Sequence, residues 1–440
     1  MNNYSYKLGD GIRHLSVLGL IGRILGFVNL FILLTLLTIA EYGLFSLINV
    51  NLVLVASVVS LSLDELVVSN TVKEQKKNAR ESNSLLASFI KLNLFGSILM
   101  SFPILVLLAF DILENIIKWE ALVIIFFIVL IAPFQKLALL FFQIREQFHK
   151  IKTLELFGNS SKTVGYIVFI YIFDLGLLGA LFSMLVSQLL LIVLAGQRFF
   201  NEALNALRFA NLKPLLSLIR TGGKWASVRG LVLAGNESLR AWLFILVLGA
   251  EALAIFNAAK TFSGSVKSLL PLKRVLLPLM SRKLIEDGQL NEIFSQSFRL
   301  SFWMMLVVAF GIILATPLLI PIYMPKYQPA ILVIQLMAIN LPFIGGGVQT
   351  ILFVLFNRNK VLFYTALLNL GFSLVLMLPA MYYFGLLGGV IAFITSSFLI
   401  TIIRFGYLKQ TEPSFSFHVK DIFDFKREDT LLIKGLFNKN

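Results

Sequence analysis

The sequence predicts an all-α polytopic membrane protein of about twelve transmembrane helices. Three observations carry the prediction. Of the 440 residues 58% are hydrophobic and only 14% are charged, the mean hydropathy is +0.88, and stretches of membrane-crossing length recur along the whole chain. A soluble protein of this size carries roughly 25% charged residues, because its surface must be polar. An excess of Leu, Ile and Phe on this scale has no place to go in a water-soluble core.

Windows of about 20 apolar residues, enough to cross a ~30 Å hydrocarbon layer, fall in twelve places. They are 15–38, 42–63, 85–110, 121–142, 154–174, 177–196, 225–248, 252–279, 299–323, 329–356, 361–383 and 386–404. In the first, Gly19, Gly22 and Gly26 give a small-residue edge beside Arg23, suited to close helix approach. Pro133 is expected to interrupt the fourth span just before Lys136, and Pro342 with Gly345-Gly346-Gly347 to interrupt the tenth. The fifth is the weakest, since it opens on Gly158-Asn159-Ser160-Ser161-Lys162. Spans eleven and twelve carry no internal charge and read as scaffold facing lipid.

Charge fixes the expected orientation. With the N-terminus inside, the inner segments hold 27 Lys and Arg and the outer turns hold two, Lys118 and Lys326. Basic residues keep loops on the cytoplasmic side, so both ends are expected inside. The first apolar stretch is too long for a signal-peptide core and reads as a retained anchor. The net charge of +15 is accounted for by these loops, and nucleic acid is not an expected partner. The expected location is the cytoplasmic (inner) membrane of a bacterium, with the lipid bilayer as the chain's first partner.

The domain order follows. Residues 1–196 form a six-helix half, 197–224 a linker, 225–407 a second six-helix half, and 408–440 a tail. Within the linker, Phe199, Phe200, Leu204 and Leu207 share one face, which reads as an amphipathic helix lying on the inner leaflet. Leu15-Ser-Val-Leu-Gly-Leu20 matches Ala226-Ser-Val-Arg-Gly-Leu231 at the same stage of the first and seventh spans. An even number of spans per half makes this a parallel repeat, with a pseudo-two-fold axis along the membrane normal and a central cavity between the halves.

Nine basic residues fall inside spans: Arg23, Lys91, Lys136, Arg229, Arg240, Lys260, Lys267, Lys273 and Arg274. Glu237 is the one acid well within a span, with Asp64 and Glu65 at an inner mouth. A charge near the bilayer centre costs roughly 2.5–3.5 kcal/mol on insertion scales and normally faces a bundle interior or an aqueous cavity. Lys260, Lys267 and Arg274 recur every seven residues, two helical turns, so they share a stripe with Gly264 and Pro271. Arg229, Asn236 and Arg240 form a second stripe. Arg229, Lys273 and Arg274 lie near inner ends, where long stems reach headgroups, and Lys91 and Lys260 have the same option. Arg23, Lys136, Arg240 and Lys267 have less room to do so. Such an excess of cations over acids implies an anionic guest. Glu237 pairs with Arg240 at i, i+3 or serves to couple an ion.

Other chemistry has little support. There is no Cys, and His14, His149 and His418 have no ligand spacing to one another, so no metal site or cofactor is expected. No G-x-x-x-x-G-K-[ST] loop and no H-E-x-x-H, paired-carboxylate or serine-triad pattern occurs, so no catalytic residues are assigned and an enzyme is not expected. A membrane sugar polymerase should carry a substantial outer loop, and the longest outer segment here runs only from about Asp111 to Glu120.

Arg23-Ile-Leu-Gly26, the turn Ala40-Glu-Tyr-Gly-Leu-Phe45, the Leu-Ser-Leu-Asp64 end of span two and the basic loop after it resemble bacterial polysaccharide flippases of the Wzx type. These belong to the multidrug/oligosaccharidyl-lipid/polysaccharide exporter superfamily. The resemblance implies a flippase moving an undecaprenyl-diphosphate-linked oligosaccharide, such as an O-antigen repeat unit for lipopolysaccharide, to the periplasmic leaflet by alternating access. Polysaccharide polymerase or assembly proteins are then possible partners. The family's cationic cavity would correspond to Arg23, Lys136, Arg240 and Lys267, of which only Arg23 lies within a family motif. Lys260, on the Lys267 stripe, joins them as a candidate. A drug or metabolite antiporter of the same superfamily is the alternative, and it would call for an acidic cavity.

Overall fold

The structure is a computed structural model that describes residues 21–22, 24–75, 79–109, 118–145, 147–209, 211–268, 290–344, 350, 352–353, 358–411 and 419–423. Among these the regular elements are helical. Among the described residues seven helices are long and apolar enough to cross a membrane: Ile39–Val59, Asn83–Val106, Trp119–Ile144, Gly176–Gln197, Lys224–Leu248, Phe294–Tyr323 and Asn359–Thr411. Their outward faces stay apolar, with Leu99, Val193 and Val307 each about 70% exposed. Apolar side chains left open in this way suit a hydrocarbon solvent, and the protein is a multi-pass membrane protein.

Contacts divide the chain into two compact units, Met1–Ala254 and Ile255–Asn440. The first opens with the short apolar helix α1 (Ile24–Leu36) and continues into α2 (Ile39–Val59). Thr38 and Glu41 begin α2 with a reciprocal capping box, which satisfies amide groups that the helix itself leaves open. After α2 the chain turns through Leu61 and Ser62, both in the left-handed region (φ 50° and 51°), into α3 (Asp64–Gln75). There follow α4 (Ala79–Ala109), α5 (Trp119–Ile144) and α6 (Phe148–Tyr166), which widens into a π-helical stretch over Ile167–Ile172.

The expected break at Pro133 is absent. Helix α5 runs unbroken from Trp119 to Ile144, since one missing N–H removes a single rung from a long ladder. The weak fifth span is helical throughout its polar opening. Asn29 of α1 donates to the Asn159 carbonyl (3.1 Å) and accepts from the Thr163 hydroxyl (2.6 Å), so these polar groups are satisfied by a neighbouring helix. Ser187 of the next helix donates to the Gly158 carbonyl at 2.8 Å, and small residues at Gly158 and Gly165 permit that approach.

That next helix, α7 (Gly176–Phe209), is kinked at Gly196 (φ 83°). Beyond the kink lies the stretch expected to rest on the leaflet. Phe199 is instead fully buried in protein, edge-on to Phe141 of α5 at 5.7 Å, while Leu204 is exposed. Glu202 pairs with Arg145, whose guanidinium stacks 3.9 Å over the Phe141 ring. Phe199, Phe141, Phe89 and Leu215 belong to one buried cluster, so this segment docks on the bundle through part of its apolar face. Leu207, on the same expected face, has its side chain outside the described residues. Short α8 (Lys213–Leu218) and a π turn lead into α9 (Lys224–Leu248), and Gly249 (φ 87°) starts α10 (Ala250–Ser268).

Helices α2 and α9 pack side by side. Asn51 Oδ1 accepts from Ser238 Oγ (2.7 Å) and Trp242 Nε1 (3.2 Å), and a Cβ on Gly43 would stand 2.0 Å from the Ala250 carbonyl oxygen.

In the second unit α10 continues to Ser268, followed by α11 (Leu290–Tyr323), α12 (Ala330–Ile339), α13 (Leu341–Ile344) and α14 (Asn359–Thr411). The expected interruption of the tenth span is seen at Asn340, between α12 and Pro342; Gly345-Gly346-Gly347 lie outside the described residues. The 53 residues of α14 are two helices joined across Gly385 (φ 57°, ψ −139°). Residues Val419–Ile422 of the tail form a 3₁₀ turn tied to α11, where Arg299 donates to the Asp421 carbonyl (2.8 Å) and Trp303 to that of Ile422 (2.9 Å).

Candidate functional site

Of the five expected cavity cations, three have described side chains. Arg23 lies outside the described residues, as do Lys273 and Arg274; Lys267 falls on α10 with its side chain outside them. Lys260, also on α10, is half-buried in the second unit. Lys136 and Arg240 belong to the first unit.

Arg240 is the deepest of these cations. It sits in the middle of the apolar helix α9, its side chain only 6% exposed. Its Nε donates to Asn236 Oδ1 at 3.2 Å, and its NH1 lies 3.6 Å from Glu237 Oε1. Ser227 and Ser238, both buried, lie on the opposite face of α9 and bond to Leu61 and Asn51, whereas the expected stripe holds Asn236 and Arg240 buried and Arg229 partly exposed. Glu237 flanks that stripe with its side chain 39% exposed, so the candidate coupling acid and Arg240 are brought together. An i, i+3 pair inside an apolar helix keeps a permanent guanidinium charge at membrane depth.

Lys136 projects from α5 toward the α2–α3 turn. Its Nζ stands 2.7 Å from Asp64 Oδ2 and 3.0 Å from Ser60 Oγ. Beside it a cavity of about 20 Å³ is lined by residues of α2, α4 and α5, including Asn93, Val129 and Pro133. That is room for one water molecule. The partners were foreseeable only in part: Asp64 is marked by its place at a span end, whereas nothing in the local sequence singles out Ser60. The same turn is gripped from α9, where Ser227 Oγ donates to the Leu61 carbonyl at 2.5 Å and Gly230 makes room for the Ser62 side chain.

One further cation was missed. Lys162 lies inside α6, although its polar neighbours make it look like loop. The available signal was its helical spacing: Gly158, Lys162 and Gly165 stand at i, i+4 and i+7, and both glycines face α7.

Among the described residues no group of three or more His, Cys, Asp or Glu could hold a metal ion. Within the first unit the candidate residues present hydrogen-bond donors and positive charge in an apolar frame, Lys136 paired with Asp64 and Arg240 with Glu237.

Solved structures share this fold across nearly the whole chain. A lipid II flippase, MurJ, in an inward closed conformation matches with a TM-score of 0.73 at 13% identity, over 97% of this chain and 93% of that one. An inward-facing multidrug resistance MATE family transporter of the MOP superfamily matches at 0.69 and 16% identity, over 89% and 96%. A MOP superfamily transporter from Pyrococcus furiosus, described as having a binding pocket of reverse polarity, matches at 0.63 and 13%, over 91% and 95%. None of the curated proteins matches the chain significantly. The sequence model of the polysaccharide biosynthesis protein family matches residues 8–284, more than half of the chain, and it is to this family that the protein belongs.

Proposed function

We propose that the protein is a flippase that carries an undecaprenyl-diphosphate-linked oligosaccharide, an O-antigen or other surface-polysaccharide repeat unit, from the cytoplasmic to the periplasmic leaflet of the inner membrane. Transport proceeds by alternating access of two six-helix halves, residues 1–196 and 225–407, with both termini cytoplasmic as the charge distribution of the loops demands. The kink at Gly385 supports the count of twelve spans, because it splits the longest helix into two of crossing length. The family match and the MurJ-like fold support transport of a lipid-linked sugar over chemistry on it.

The observation that carries the proposal is Arg240, a buried guanidinium in the middle of α9. A diphosphate sheds its hydration when it enters the membrane, and fixed cations replace part of it. In this assignment Arg23, Lys136, Arg240, Lys260 and Lys267 are the candidate contacts for the headgroup, Glu237 couples an ion, and the lipid tail stays in the bilayer. Polymerase or assembly proteins receive the product. The MATE-like fold favours a second reading, a drug or metabolite antiporter, for which Glu237 would be the pivotal group.

The test compares Arg240→Lys with Arg240→Gln in a flippase-null strain at matched protein levels. Surface polysaccharide and binding of a lipid-diphosphate analogue are measured. Lys should keep much of both. Gln should lose roughly ten- to a hundredfold in affinity, the worth of a charge-assisted phosphate contact. Equal function of Gln and wild type, or extrusion of cationic drugs in place of sugar export, would overturn the proposal.

A further inference from the structure

Lys136 has a partner already, and that partner is the source of a new inference. Asp64 opens α3, and its Oδ2 takes the Lys136 ammonium at 2.7 Å, with Ser60 Oγ as the second acceptor at 3.0 Å. The other carboxylate oxygen, Oδ1, is buried and has no hydrogen-bond partner among the described residues. Neither side chain is sealed away: Lys136 is 35% exposed and Asp64 24%. A carboxylate held through one oxygen, in reach of solvent, is an anion that a stronger anion can displace.

The segment that carries Asp64 is a tight turn between two helices. Leu61 and Ser62 are both left-handed, a conformation that L side chains adopt only when their surroundings impose it. The end of α2 imposes it, with Ser62 N–H donating to the Ser57 carbonyl (2.9 Å) and Leu61 N–H to that of Val58 (3.1 Å), and two helices hold the turn from outside. From α5, Lys136 holds Ser60 and Asp64; from α9, Ser227 holds the Leu61 carbonyl and Gly230 accommodates Ser62. The space beside Lys136, about 20 Å³, admits a water but no phosphate. A phosphate therefore has to take the place of the carboxylate that now holds the ammonium.

We propose that Asp64 is a resident counter-ion on Lys136, and that a multiply charged phosphate headgroup must displace it, releasing the α2–α3 turn from α5. The proposal rests on the flippase reading and adds to it a selectivity device. A diphosphate competes with the carboxylate better than a monophosphate does, so the pair filters anions by charge. The loosened turn then reports headgroup capture to α9, the helix that carries Arg240.

The chain has no Cys, so a single Ser62→Cys change provides a clean probe of the turn. The purified protein is tested with a short-chain polyprenyl diphosphate and the matching monophosphate. In the Ser62→Cys protein with Asp64 intact, diphosphate should raise labelling by a water-soluble maleimide and monophosphate should leave it near baseline. Asp64→Asn should bind monophosphate about tenfold tighter, narrow the preference for diphosphate, and label at the high rate without ligand. Three results would overturn the inference: labelling that ignores diphosphate, an unchanged diphosphate preference in Asp64→Asn, or weaker binding of both lipids, which would make Asp64 a mere prop for Lys136. The first measurement needs no Asp64 variant, so poor folding of Asp64→Asn does not spare the inference. If wild type binds neither lipid, the flippase reading falls as well; binding by wild type with any of the three results sinks the counter-ion alone.

Discussion

Glu41 accepts a hydrogen bond from the Leu177 backbone N–H at 3.3 Å, joining helices whose sequence positions differ by 136. The same carboxylate closes the capping box with Thr38, through Thr38 N (2.9 Å) and Thr38 Oγ1 (2.8 Å). One acid thus serves the N-termini of both α2 and α7, where helix dipoles favour negative charge.

Glu41→Ala should therefore cost about 1–2 kcal/mol of stability, at the upper end for a lost cap because two helix starts lose their acceptor. Thr38→Ala should cost less, since Glu41 keeps Leu177. Thermal unfolding in detergent checks the order, and equal losses for the two variants would show that the Leu177 contact contributes nothing.

Gly43 and Gly235 separate packing from propensity. A Cβ on Gly43 meets the Ala250 carbonyl carbon at 2.7 Å as well as its oxygen, and backbone cannot rotate aside. Gly43→Ala should destabilise by about 1–3 kcal/mol, as overpacking does. A Cβ on Gly235 has nothing within 4 Å, and as a helix-interior glycine Gly235→Ala should be neutral or stabilising by up to about 1 kcal/mol. The same unfolding assay, with expression level beside it, distinguishes the two.

The segment after Gly196 offers a similar contrast. Phe199 is fully buried against Phe141, whereas Leu204 is 57% exposed. Phe199→Ala should cost about 3–5 kcal/mol and lower the amount of folded protein. Leu204→Ser should leave unfolding in detergent nearly unchanged and weaken only the affinity of this stretch for lipid. Comparable losses for both would place the whole apolar face against protein.

Glu237 tests ion coupling. With its carboxyl 39% exposed and Arg240 NH1 3.6 Å away, the side chain has both access and a charged partner. Glu237→Gln should abolish dependence of transport on the proton gradient while leaving protein levels near normal. Transport that keeps its gradient dependence would make the pair structural.

The sequence by itself determined the membrane class, the helical fold and the run of crossing segments, because hydropathy is a local property summed over about 20 residues and a bilayer reads it segment by segment. It also determined that α9 carries a polar stripe, since helical spacing alone puts Asn236 and Arg240 on one face. Tertiary structure decided what those groups touch. Spacing cannot tell that Lys136 meets Asp64, 72 positions earlier, or that Ser227 meets the Leu61 carbonyl 166 positions away. It also misjudged Pro133 and the segment around Phe199, where a continuous helix and a nearby aromatic ring outweighed the local signal. Lys162 was hidden for the same reason. Its Gly-Asn-Ser-Ser neighbours look like loop until Asn29 and Ser187, from two other helices, supply the hydrogen bonds that let the stretch sit inside the bundle. Polarity in a membrane is tolerated according to partners, and partners are settled only when the helices pack.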